Sequence, residues 1–107
     1  MCKTILANNS IGCISYCFNQ QIFSVAIGNV FINLNSTSLS QLKNAVKRSR
    51  EELYLIENCY QRVFLETPLE NFFLSFNTHE INDCLELFFD AEMELWYQNL
   101  LIETGLI

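Results

Sequence analysis

Little in this chain would break or staple its backbone. Of 107 residues, three are glycine and one is proline, too few for a loop-dominated or low-complexity chain. Charged residues are sparse at 17%, while half of all residues are apolar. That balance excludes disorder and fits one domain folding on its own core, burying roughly two-thirds of its unfolded surface. No apolar run is long enough to span a bilayer. The first nine residues hold one Lys and no sustained apolar stretch, which is not the pattern of a signal peptide. The expectation is a single cytoplasmic domain over residues 1–107 with reduced thiols. Five cysteines, an odd number, fit free thiols better than a disulfide framework.

Basic residues are missing from the second half. Residues 1–65 carry six bases and three acids (+3), and residues 66–107 carry nine acids and no base (−9), which sums to −6. A phosphate-tracking surface needs clustered bases. Only the short stretch from Lys43 to Arg50 offers a cluster, so neither a nucleic acid nor a membrane is an expected partner. Histidine occurs once, as His79, which excludes a His-pair metal site. His79 falls at a predicted helix start, where the macrodipole disfavours imidazolium. No serine sits in a nucleophile elbow and no glycine-rich phosphate loop occurs. No catalytic residue and no cofactor is expected.

What is present is a repeat with an offset of 42. Gly28 to Tyr54 aligns without a gap over Glu70 to Trp96, with identities at Asn29/Asn71, Phe31/Phe73, Asn35/Asn77, Glu52/Glu94 and Leu53/Leu95. The shared periodicity is the stronger signal. Each copy opens on an alternating run (Val30, Ile32, Leu34; Phe72, Leu74, Phe76), a strand with one buried face. Asn, Ser and Thr follow, residues that cap helix N-termini. A helical period comes next: Leu39, Leu42, Val46, Ser49, Leu53, Ile56 in the first copy and Ile81, Cys84, Phe88, Ala91, Leu95 in the second. Upstream, Ile22–Ile27 and Arg62–Leu65 are strand candidates, joined onward by Gly28-Asn29 and Thr67-Pro68. Gly28 suits either a hairpin turn or a bulge in one long strand. A further strand near Ile11–Cys17 leads the chain. The predicted fold is α+β: an antiparallel sheet with two helices on one face, with an N-terminal strand region 1–17 and β-hairpin–helix repeats over 22–58 and 60–101.

Several short blocks carry a resemblance: Met1-Cys2, Cys17-Phe18-Asn19-Gln20 leading to Ala26-Ile27-Gly28-Asn29, Thr67-Pro68 to Phe76, and Ala91-Glu92-Met93-Glu94-Leu95. Through them almost the whole chain resembles an uncharacterised family of small bacterial proteins, met mainly in Bacteroidetes. The resemblance implies no activity. It implies a Cys-x-x-Cys pair before the Gly-Asn turn, whose second position is Gln20 in this chain.

Three groups of side chains compete for a functional role. Cys13 and Cys17, four apart on a strand, point to one face. With Cys2 they could supply three zinc ligands, or they are ordinary thiols. Cys59 and Cys84 are isolated. Glu86, Asp90 and Glu94 form a row at helical spacing, either a cation site or a solvated face. Glu92 falls within the apolar arc on a helical wheel, and a buried carboxylate needs a partner. Its repeat equivalent is Arg50, so an Arg50–Glu92 ion pair is expected, with a rim position for Glu92 as the alternative.

The sharpest contrast lies between the two helices. Lys43, Lys47 and Glu51 in the first become Leu85, Phe89 and Met93 in the second; Tyr54 becomes Trp96 and Asn58 becomes Leu100. The second helix therefore carries an extra apolar stripe, Leu85, Phe89, Met93, Trp96 and Leu100, rich in the residue types that form interfaces. The expected partner is a second copy or another protein, unless the N-terminal segment or the tail from Leu100 folds over the stripe. Phe31 and Phe73, on the sheet face away from the helices, mark a second apolar surface.

Overall fold

The structure, a computed structural model, describes residues 3–54, 63–67, 70 and 73–106. Strands β1 (Lys3–Asn8), β2 (Gly12–Cys17), β3 (Ile22–Ile27) and β4 (Val30–Leu34) form an antiparallel sheet in chain order. Helix α1 (Ser36–Tyr54) follows. Strands β5 (Val63–Glu66) and β6 (Phe73–Phe76) pair antiparallel as a separate two-stranded sheet, and α2 (Thr78–Glu103) comes last. The fold is α+β, as the periodicity predicts.

Two features differ from the sequence reading. The strand expected to lead the chain is β2, and β1 precedes it. A bulge between Ile5 and Ala7 shifts the β1–β2 register and leaves both Leu6 and Ala7 buried, which removes the strict alternation that a period-two pattern requires. The second hairpin, expected in the main sheet, forms its own. Its strands offer only four residues each, a short ladder, and its buried Leu74 and Phe76 join the common core.

Local chemistry explains the connections. Ile27 pairs with Val30, so Gly28-Asn29 is a two-residue hairpin loop rather than a bulge, and Gly28 adopts φ +58, which glycine reaches without a Cβ penalty. At Gly12 the constraint is space: a Cβ there would lie 1.9 Å from the Ala26 carbonyl oxygen. Asn35 caps α1 by accepting from the Ser38 N–H at 2.8 Å. Asn77 caps α2 through a full capping box: its side chain accepts from the Glu80 N–H at 2.9 Å, and the Glu80 carboxylate accepts from the Asn77 N–H at 2.9 Å. Gly105, at φ +76, ends α2 by donating to the Ile102 carbonyl.

Both helices cover the sheet face that presents Ile14, Val25 and Ile32, with α2 against β1 and β2 and α1 against β3 and β4. Leu42, Val46 and Ser49 are buried on α1. On α2 the buried residues are Ile81, Cys84, Leu87, Phe88 and Ala91. Four of these five carry the predicted stripe; Leu95 packs only partly against the core. The β1–β2 turn is tied to α2 by Asn9, whose side-chain amide donates to the Asp83 carbonyl at 2.8 Å. No residue of α2 beyond Ala91 is buried. Its last twelve residues therefore run about 18 Å along the helix past the final core contact.

Candidate functional site

The helical wheel of α2 sets the order of its surfaces. At about 100° per residue, Phe88, Ala91 and Cys84 face the core, while Leu85, Phe89, Met93, Trp96 and Leu100 line a neighbouring stripe. Four of these five are exposed: Phe89 by 62%, Trp96 by 61%, Met93 by 52% and Leu100 by 39%. Leu85 is half-buried and packs against the core edge. The expected stripe is thus present and open to solvent in the single chain. The tail does not close over it, since Thr104 to Leu106 are all exposed. Nor does β1, which packs where α2 meets the sheet.

Exposed apolar residues also lie off the stripe. Tyr97, Ile102 and Leu106 are exposed by 49%, 47% and 71%. At the offset of 42 they align with Leu55, Tyr60 and Phe64, which are apolar as well, so comparing the two copies position by position passes over them. The signal that would have found them is composition: Leu95 to Ile102 holds six apolar residues among eight.

Helices α1 and α2 run antiparallel. Lys43 reaches Glu92, whereas Lys47, Arg50 and Glu51 face Leu85, Glu86 and Phe89 across an open cleft of about 450 Å³. This register corrects the expected ion pair. Arg50 stands two turns along α1 from Lys43, roughly 10 Å, and the partner of Glu92 is Lys43. The premise of a buried carboxylate also fails, because the Glu92 side chain is 49% exposed. It sits at the rim where the two helices meet, so water and one ammonium satisfy it. A pair this exposed contributes little to stability.

Asp90 and Glu94 of the acidic row lie on the flank turned from α1, whereas Glu86 lines the cleft with Lys47 and Arg50. Asp90 and Glu94 each stand two positions, about 200° of helix, from Glu92. Glu86 and Asp90 are exposed, and Glu94 accepts a hydrogen bond from the Gln98 amide at 2.9 Å. Among the described residues no group of three His, Cys, Asp or Glu converges as a metal site. His79 is exposed in the first turn of α2.

The thiols part company. Cys17 is disulfide-bonded, whereas Cys13 and Cys84 are free. The expectation of five reduced thiols is therefore corrected, and a zinc set of Cys2, Cys13 and Cys17 loses Cys17 as a thiolate. Cys2 and Cys59 lie outside the described residues, as do Ile56, Arg62 and Pro68 and the side chains of Leu53 and Phe73. Cys84 is a small core residue, and desolvation by burial pushes its thiol up to about 12. On the outer sheet face Phe31 is 60% exposed, and the Lys3 ammonium lies 5.0 Å from its ring centroid. Ser24 and Asn33 share a hydrogen bond of 2.8 Å and make that face partly polar.

The arrangement holds no assembled nucleophile, acid–base pair or metal cradle among the described residues. It offers an apolar helix face between two flanks of opposite charge. No described helix is long and apolar enough to cross a membrane. No curated protein and no solved structure matches the chain. A family model does: residues 1–103 match a family of unknown function, DUF6686, and the chain belongs to that family.

Proposed function

We propose that this protein is a non-catalytic module that self-associates through the outer stripe of α2. One observation carries the reading. Phe89, Met93 and Trp96 are each more than half exposed along a helix whose final twelve residues hold no buried position. With Tyr97 and Leu100 they present on the order of 600 Å² of largely apolar surface. Stable partners bury about 800 Å² each, so the stripe supplies most of one such interface. A monomer rarely leaves so large a contiguous apolar patch in water.

The flanks argue against a lipid surface. Helices that lie on membranes border their apolar face with Lys and Arg, whereas α2 carries seven acids and no base. The second hairpin–helix unit reads as a copy of the first in which the outer helix face became apolar. Such a change gives a duplicated unit a surface for company. A different protein docking on the same stripe is the alternative.

Sedimentation velocity tests the proposal. The purified chain is expected to sediment as a dimer at micromolar concentration, and Trp96→Glu or Phe89→Asp to give a folded monomer by circular dichroism. A wild-type chain that remains monomeric at several hundred micromolar overturns it.

A further inference from the structure

We infer that the occupant of the stripe is a second copy of this chain lying with its α2 parallel to the first, a geometry that rests on the self-association reading above. Two observations select it. The first is spacing. Phe89, Met93, Trp96 and Leu100 follow one another at intervals of four, three and four, the rhythm of the apolar seam in a two-stranded coiled coil. That seam begins beside the core and continues along the projecting half of α2, where no side chain is buried. A helix end that lacks a core of its own is marginal in water. This one is nonetheless stopped by its own C-terminal device at Thr104 and Gly105, so the sequence specifies helix to its last turn. Another copy of the same seam would supply the missing packing.

The second observation is the order of charge across the stripe. One flank is α1, with four bases against two acids, where Lys47 borders the cleft beside Phe89. The other flank, turned from α1, carries Asp90 and Glu94. A two-fold axis perpendicular to the helices would lay each flank on its like, acid on acid. An axis running along the seam instead exchanges the flanks, so the acidic flank of each chain meets the basic side of α1 in the other. Like charges facing each other across an interface cost affinity, and opposite charges set orientation. The flanks therefore select the parallel pairing, in which Phe89, Met93, Trp96 and Leu100 each face their own counterparts. This isologous contact closes on itself as a dimer.

Charge exchange in the full-length chain tests the pairing by sedimentation equilibrium. Asp90→Lys and Lys47→Glu are each expected to raise the dimer dissociation constant about tenfold, since the symmetric interface contains each site twice. The double variant, which swaps the charges and restores attraction, is expected to return to within about threefold of wild type. Glu103→Cys, three residues beyond Leu100 on the seam, is expected to give a covalent dimer under mild oxidation, because parallel helices bring the two positions together. A wild-type dimer with no rescue in the double variant and no crosslink at residue 103 overturns the parallel pairing while leaving self-association standing. A monomeric wild type overturns both.

Discussion

The two halves of α2 share one backbone and opposite surroundings. From Ile81 to Ala91 the helix buries five side chains in a core shared with both sheets. From Glu92 to Glu103 it buries none, yet its composition is nearly as apolar, seven residues of twelve against seven of eleven. Burial in this molecule is therefore set by where the sheets end, not by the apolar content of the helix. The first half obeys the architecture of one chain. The second half has the composition of an interior with no interior around it.

The largest expected difference between the halves is the cost of removing an aromatic ring. Phe88→Ala should lower the free energy of unfolding by about 3–5 kcal/mol in urea titrations, because it opens a cavity at a residue that is 2% exposed. Trp96→Ala should change it by about 0.5 kcal/mol or less at concentrations where the chain is monomeric. Comparable losses would erase the distinction.

A second effect belongs to the embedded half alone. The Cys84 thiol is pushed up to about 12 from 9.0. Its folded value exceeds its unfolded one, so its contribution is complete below pH 9 and is lost as pH rises toward 12. Between those limits the unfolded chain has released a proton that the folded chain retains, and stability should fall by about 1.4 kcal/mol per pH unit from this group. The pH dependence of Cys84→Ala, compared with wild type over the same interval, isolates the contribution. Identical slopes would mean that the thiol is not shielded.

The smallest contrast concerns the two ends of the helix. Asn77→Ala removes the cap on the embedded end and should cost about 1 kcal/mol of global stability. Gly105→Ala strains a residue at φ +76 on the projecting end. It should fray the last turn, seen as faster amide exchange from Leu101 to Leu106, with little change in the denaturation midpoint. A global loss from Gly105→Ala would show that the projecting half is coupled to the core after all.

Most of the fold was legible because it follows from local patterning. Alternation at Val30, Ile32 and Leu34 and the caps at Asn35 and Asn77 are one-dimensional signals, and the strands and helix starts fall where those residues place them. The apolar stripe was legible for the same reason. The partner of Glu92 was not. It depends on the antiparallel register of α1 and α2, which a wheel for each helix taken separately does not contain. The strand β1 was hidden by its bulge, and the state of Cys17 by its dependence on tertiary proximity, which a count of cysteines does not contain.

The tight passage at Gly12 has a consequence for variation. With no room between the twelfth α-carbon and the Ala26 carbonyl even for a methyl group, alanine, serine and arginine at this position are one and the same lesion. Each must prise β2 from β3 before its own chemistry matters. In a library of random variants the twelfth codon should stand out as uniformly intolerant, with soluble yield collapsing alike for small and large replacements.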